Sequence, residues 1–318
     1  MKILVTGGAG FIGSHFVRFL KKKYPEYDIV NLDKLTYAGN RASLRDLEGR
    51  AGYTFIKGDI CDAGLLRDIV PGCQAIVNFA AETHVDRSIA DASKFLATNV
   101  MGTYTLLEAA LDSKTPRFIQ ISTDEVYGSI EQGSFTETSP LMPNSPYSAS
   151  KAAGDHLARS YFVTYGLPAI VTRSSNNFGP YQFPEKVIPL FVTNLIEGKK
   201  VPLYGDGMNI RDWLFVEDNC LAIDCVLHRG IPGEIYNIGG SFEVPNRELT
   251  RMIVAECGAP ETSIEFVPDR PGHDRRYSLD STKVHSLGWR PQWNFQKALS
   301  YTVDWYRKNE WWWRPLKH

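Results

Sequence analysis

The chain has 318 residues, a formal net charge of −1 and 22% charged residues, long enough for two packed units and without the basic tail or stripe of a nucleic-acid protein. No apolar run reaches the length needed to cross a bilayer, and Met1 and Lys2, followed at once by a strand pattern, lack the layout of a signal peptide. Five scattered cysteines (Cys61, Cys73, Cys220, Cys225, Cys257) with no Cys-x-x-Cys pair point to a reduced, cytoplasmic chain with neither a disulfide framework nor a zinc site.

Lys2–Thr6 reads as an apolar strand, followed by Gly7, Gly10 and Gly13 and by a helix expected to begin near Ser14. That glycine spacing frees the backbone for a tight turn and for close approach of a pyrophosphate. The helix N-terminus adds amide donors and a favourable dipole. Three glycines alone can be a structural turn; between a strand and a helix they read as a dinucleotide-binding start. The strand over 28–32 ends in Asp33, placed to accept hydrogen bonds from an adenosine ribose. Its charge would repel a 2′-phosphate, so NAD is expected over NADP, although Lys34 and Arg41 lie nearby. Strands at Tyr53–Lys57 and 75–79 lead to Asp59 and Ile60 and to Ala80, where a small residue lets the backbone pass close to the cofactor. Between them, 62–70 reads as a surface helix capped by Asp62. Cofactor contacts are expected from Gly7, Gly10, Phe11, Ile12, Gly13, Asp33, Lys34, Asp59, Ile60 and Ala80. The alternation implies right-handed crossovers and an α/β fold: a doubly wound, Rossmann-like parallel sheet with a second, smaller α/β substrate domain.

Residues 82–88 form a dense polar loop in which Thr83 could touch substrate or serve the loop itself. His84 has no metal-ligand or triad spacing and reads as a structural or orienting histidine. A long helix over 94–113 carries Asn99, able to hold a water or to fix the neighbouring strand. The strand over 119–122 then delivers Thr123, Asp124 and Glu125 to the carboxyl edge of the sheet, where ligands bind. An adjacent acidic pair is most often a solvated turn. Downstream, Pro146 starts a helix that Gly166 stops, and Tyr147 and Lys151 share one face of it. A lysine ammonium beside a phenol favours the phenolate and makes the tyrosine a base near neutral pH. A lone Tyr-x-x-x-Lys is usually ordinary helix surface. Behind a dinucleotide-binding start it reads as proton-transfer machinery.

After a strand over 169–173 the character changes, and 174–186 is an irregular run rich in amides, glycine and proline. Asn176 and Asn177 could serve a sugar, a phosphate or the loop backbone. Loops over 202–213 and 269–277 carry Pro202, Tyr204, Arg211, Arg270, His273 and Tyr277. Guanidinium pairs with phosphate in fixed geometry, and Arg211 and Arg270 are better placed for this than the adjacent Arg275 and Arg276. Ile235–Ile238 reads as a strand, Asn246–Cys257 as a helix capped by Asn246, and 295–309 as the last amphipathic helix. Trp311, Trp312 and Trp313 read as a tail packed on the small domain in preference to a sugar-stacking surface. The expected division is 1–174, with a later return at about 214–240, for the cofactor and 175–318 for the substrate.

The three glycines with Tyr147 and Lys151 resemble the extended short-chain dehydrogenase/reductase family over the first half of the chain. Four longer motifs, at 123–128, 176–186, 209–213 and 270–277, are similar in order and wording to the bacterial dTDP-glucose 4,6-dehydratases. Two positions depart from that pattern: Phe178, where tyrosine is common, and Asn219, where histidine is usual. The resemblance implies that Thr123, Asp124, Glu125, Tyr147 and Lys151 are catalytic, and that Tyr147 and Lys151 also face bound NAD. It implies dTDP-glucose as substrate, held by Thr83, Asn176, Lys186, Pro202, Tyr204, Arg211, Asn246, Arg270, His273 and Tyr277, with no metal. It further implies a homodimer built on the 94–113 and 147–165 helices. The implied reaction oxidises the sugar at C4, removes water across C5 and C6 with Glu125 as base and Asp124 as acid, and reduces C6. A nucleotide-sugar 4-epimerase or decarboxylase would share the glycines, Tyr147 and Lys151 but would not need the acidic pair. A dinucleotide sensor on the same fold could discard the catalytic groups altogether.

Overall fold

The computed structural model describes residues 1–317. Six strands occupy the first part of the chain: β1 (Lys2–Thr6), β2 (Asp28–Asp33), β3 (Tyr53–Lys57), β4 (Ala75–Asn78), β5 (Phe118–Thr123) and β6 (Ala169–Ser174). Six more follow: β7 (Asn176–Phe178), β8 (Val201–Tyr204), β9 (Ile210–Phe215), β10 (Ile235–Ile238), β11 (Glu243–Pro245) and β12 (Ile264–Val267). β1 to β6 and β10 form one parallel sheet in the order β10-β6-β5-β4-β1-β2-β3. The strands are apolar on both faces because helices cover both. Ile3 and Val5 enter the core shared with the Phe11–Lys23 and Val216–Arg229 helices, whereas Leu4 joins Leu66, Leu106 and Ala158 on the opposite face. Each such side chain, once buried, contributes about 1.5–3 kcal/mol.

From β1 the sheet grows one way through β2 and β3 and the other way through β4, β5 and β6. The crossovers therefore diverge at β1 and β4, and a crevice opens at their carboxyl ends. β7 follows Ser174 almost at once and pairs in parallel with β9, which pairs antiparallel with β11. β8 and β12 make a separate parallel pair. Asn176 and Asn177, expected in an irregular run, thus begin a strand, and Arg211, expected in a loop, lies on buried β9.

Four other local expectations need correction. The first helix starts at Phe11, not near Ser14, because the Gly10 amide already closes the turn onto the Gly7 carbonyl at 3.1 Å. The 94–113 helix is interrupted by a π-helical stretch at Leu96–Gly102, which contains Asn99. Asn246 does not cap its helix. Pro245 takes that position in extended backbone while the Asn246 amide donates to the Asn209 carbonyl at 2.9 Å. The tryptophan tail reaches further than the small domain: the Trp312 indole N–H, which needs an acceptor once buried, donates to Ser43 Oγ at 3.0 Å, in the turn after β2. Among the described residues no helix is long and apolar enough to cross a membrane.

Candidate active site

The crevice at β1 and β4 is a cleft of about 300 Å³. Its glycine turn fits a ligand that must come close. Gly7 has φ +68°, and a Cβ there would sit 2.6 Å from the Ala80 amide; one on Gly13 would collide with the Gly7 carbonyl. Asp33 closes the far side of the turn, Oδ2 accepting from the Ala9 amide at 2.8 Å and Oδ1 from the Leu35 amide at 2.7 Å. Each oxygen keeps a lone pair for a ribose hydroxyl. Lys34 is tied to Asp59 at 2.6 Å. Gly7, Gly10, Phe11, Ile12, Gly13, Asp33, Lys34, Asp59, Ile60 and Ala80 all line this one cleft. The residues present fit an NAD-sized dinucleotide with its pyrophosphate on the glycine turn.

Tyr37, which the sequence pattern does not single out, joins the 82–88 loop and the 174–186 run over the cleft. Tyr37 donates its hydroxyl to the Thr83 carbonyl at 2.6 Å and sets its ring edge-on to Phe183. The Arg87 guanidinium lies 3.9 Å above the Tyr37 ring and pairs with Glu185 at 3.0 Å. No spacing rule links these positions; only the folded chain does. Asn99 fixes the loop after β4 by a reciprocal pair with the Glu82 backbone at 2.8 and 3.1 Å. The slip in helical register at the π stretch is what holds it there. His84 is half-buried at φ 108°, with no partner for Nδ1, at the start of the Val85–Ala90 helix.

At the end of β5, the Thr123 hydroxyl caps the short Asp124–Tyr127 turn, accepting from the Glu125 amide at 3.2 Å and donating to Asp124 Oδ1 at 3.1 Å. Asp124 is 2% exposed and its Oδ2 has no partner. Burial, reinforced by the Glu125 charge, holds its carboxyl well above the usual carboxylate range. Glu125 is also raised by burial, but Arg270, Arg211 and Lys186 oppose the shift. The neighbours thus have different surroundings: Asp124 is buried with a like charge beside it, whereas Glu125 faces three cations. Tyr147 is pushed well up by burial and by the Glu125 and Asp124 charges, with the Thr123 hydroxyl working the other way. Lys151 donates to the Ile121 carbonyl at 2.6 Å and is lowered by burial to about 8. The simple picture of an ammonium pulling down its neighbour's phenol needs amending. In this structure burial dominates at Tyr147, with Glu125 and Asp124 adding to it, and the lysine is anchored to the strand.

Thr83, Asn176 and Lys186 line the same cleft as these groups. The remaining expected substrate residues gather beyond it. Arg211 donates to the Asp274 carbonyl at 2.9 Å with its guanidinium 4.2 Å from the Tyr277 ring, and Tyr277 donates to Asp274 at 2.6 Å. Arg270 and Tyr204 both reach Asp86, at 3.4 and 3.5 Å, and His273 bonds Asp269 at 2.6 Å. Pro202 lies on β8 with Tyr204, and Asn246 begins its helix beside Asn209. Arg211 and Arg270 connect the two groups, since both act on Glu125. Arg275 and Arg276 are occupied elsewhere, by Asp206 and Glu243.

The family described as GDP-mannose 4,6 dehydratase matches residues 4–302. The chain belongs to that family. Within the GDP-mannose 4,6 dehydratase family it is 55% identical over 322 residues to a dTDP-glucose 4,6-dehydratase of Streptomyces niveus, with 100% of this chain and 96% of the relative covered. Among solved structures, the dTDP-glucose 4,6-dehydratase DesIV of Streptomyces venezuelae, with NAD bound, superposes at a TM-score of 0.98 with 57% identity, covering 99% of this chain and 100% of that one. A UDP-glucose 4-epimerase of Thermus thermophilus, in complex with NAD, shares the fold at a TM-score of 0.89 with 32% identity, over 97% of this chain and 100% of that one.

Proposed function

We infer that the chain is an NAD-dependent dTDP-glucose 4,6-dehydratase, a hydro-lyase that forms dTDP-4-keto-6-deoxyglucose and water. The observation that carries this reading is the acidic pair: a buried Asp124, pushed toward its protonated form and with Oδ2 unpartnered, next to a Glu125 that faces Lys186, Arg211 and Arg270. An acid and a base side by side suit an elimination, and their unlike surroundings assign the roles. A 4-epimerase, the reading that the Thermus relative represents, has no use for a buried acid with a free Oδ2 beside the base.

NAD, when bound in this cleft, would accept the C4 hydride and return it to C6. Everything else falls to the side chains. Tyr147 takes the C4 hydroxyl proton, and the ketone acidifies C5. Glu125 removes the C5 proton and exchanges it with solvent, while Asp124 protonates the departing C6 hydroxyl; a solvent-derived proton then passes from Glu125 to C5. Tyr147 ends the cycle with an extra proton and Asp124 with one too few. The Thr123 hydroxyl, bonded to Asp124 and acting on Tyr147, lies between them to restore both. Gly7 to Gly13, Asp33 and Asp59 hold the dinucleotide, and Arg211 and Arg270 hold the diphosphate of the sugar nucleotide with Asn176, Lys186, Asn246 and His273 around it. The division at 174/175, with about 214–240 returned to the cofactor part, is supported by β10 joining the large sheet. A homodimer is supported by exposed Leu96, Met101, Tyr104, Val163 and Tyr165 on two adjacent helices, and a cytoplasmic location by the scattered free thiols.

The test is incubation with dTDP-glucose labelled with deuterium at C4. A 4-keto-6-deoxy product carrying that label at C6, and solvent deuterium at C5 when made in heavy water, is the expected result. Loss of the C4 label, or an unlabelled C5, removes the oxidation–elimination–reduction sequence.

A further inference from the structure

Asp155 is a buried carboxylate that the chemistry above leaves unused. It stands one helical turn beyond Lys151, on the same face of the Pro146–Tyr165 helix, and is 2% exposed. Its Oδ2 accepts from Arg173 Nε on β6 at 2.9 Å, while Oδ1 has no partner. Arg173 donates in turn to the Tyr127 hydroxyl at 2.7 Å, and Tyr127 donates to Asn237 Oδ1 on β10 at 2.8 Å. The carboxylate is therefore held from the sheet side by three elements.

A buried ion pair is a poor way to hold helix to sheet, because apolar side chains of the same volume do so equally well. Lys151 gives the pair a purpose. It is 6% exposed, donates to Ile121 and has lost most of its water at the floor of the cleft. The charged and titratable groups around it are Tyr147 and Asp155 on its own helix, Asp124 and Glu125 at the end of β5, and Arg173 on β6. Asp124 and Glu125 act on Tyr147, and Arg173 is engaged by Asp155 and Tyr127. Asp155 does not touch the Lys151 ammonium, but one turn away on the same buried helix face it is the group whose charge opposes the loss of water at Lys151.

We propose that Asp155, anchored by Arg173, is the counter-ion of Lys151 and a positioning residue for the proton transfer at Tyr147. The proposal rests on the assignment of Tyr147 and Lys151 as the proton-transfer pair; its test does not. A desolvated ammonium without a counter-charge gives up its proton near neutral pH, and a neutral amine can no longer stabilise a phenolate.

In cofactor-stripped protein, the pH dependence of Lys151 acetylation by acetic anhydride, read by peptide mass spectrometry, reports the titration without turnover. Asp155→Asn should lower the midpoint by at least about half a pH unit, Asp155→Glu should restore it, and Arg173→Met should not lower it. Where the single amide variant fails to fold, Asp155→Asn with Arg173→Met removes both charges and should show the same downward shift. The alkaline limb of kcat in Asp155→Asn should move with the midpoint while KM for the sugar nucleotide stays put. A midpoint unmoved in the single or double variant, or lowered equally by Arg173→Met, makes the pair a brace and overturns the proposal. Failure to make a 4-keto-6-deoxy sugar would strike the functional assignment and leave this titration standing.

Discussion

Replacing Asp33 by alanine does two separable things. It removes an acceptor from the Ala9 amide at 2.8 Å and from the Leu35 amide at 2.7 Å, both part of the turn that cradles the dinucleotide. Hydrogen bonds to a charged group contribute about 1.5–3 kcal/mol each, so the two come to about 3 kcal/mol at the low end. Part of this is offset, because burial holds the Asp33 carboxyl above its usual range, a cost alanine does not carry. The stripped protein should therefore lose about 2 kcal/mol before any cofactor is considered. Loss of a ribose hydrogen bond removes about 1–3 kcal/mol more from NAD binding, roughly a 5- to 150-fold weakening. Asp33→Asn separates the effects: it keeps an acceptor for one amide and gives up the charge that repels a 2′-phosphate. It should stay closer to wild-type stability and discriminate less against NADP. Urea unfolding of stripped protein and calorimetric titration with NAD and NADP measure the two quantities. An alanine variant that unfolds like wild type when stripped, yet binds NAD weakly, would refute the reasoning and make Asp33 a ribose hook alone.

Asp124→Asn and Glu125→Gln should still pass hydride to NAD and accumulate the reduced form, seen by its absorbance, whereas Tyr147→Phe should show little; reduced cofactor absent from both carboxyl variants would remove the division of labour. Arg270→Ala should weaken sugar-nucleotide binding and leave stability almost untouched, since its ion pair is half-exposed, while buried Arg211→Ala should lower both; isothermal titration and melting separate them, and normal substrate binding in both would clear these residues. Lys151 is depressed from 10.5 to about 8, so between those values the unfolded chain holds a proton that the folded chain lacks, and its contribution to stability rises with pH. Lys151→Met should abolish that rise, about 3 kcal/mol when fully developed, in urea midpoints taken from about pH 7 to about pH 10; parallel curves for the two proteins would contradict it.

What the sequence made legible was whatever is local. The glycine turn, Asp62 at its cap, the Pro146 helix with its Gly166 stop and Asp33 at the end of β2 are each set by a few neighbouring residues. The acidic pair was visible as well, but its meaning was not. Asp124 becomes an acid only because β5 buries it, and Glu125 stays a base only because cations arrive from β9 and from beyond β12. Arg211 looked like a loop residue because glycine and proline flank its strand. The π stretch at Leu96–Gly102 has no signature in composition, since a slipped hydrogen bond changes no residue type. The Asn246 cap failed because a capping residue type next to a proline does not say which of the two the chain will use. Asp155 was open to notice, four residues after Lys151, yet nothing in the sequence reveals that an arginine on β6 would pin it.

The bond from Trp312 to Ser43 joins positions 269 residues apart. During synthesis at about 5–20 residues per second, on the order of half a minute passes between them. For that interval the turn behind β2 has no indole to lean on, although β1, β2 and the glycine turn are already outside the ribosome. The nascent chain therefore owns the elements of a cofactor cleft well before it owns the brace behind them.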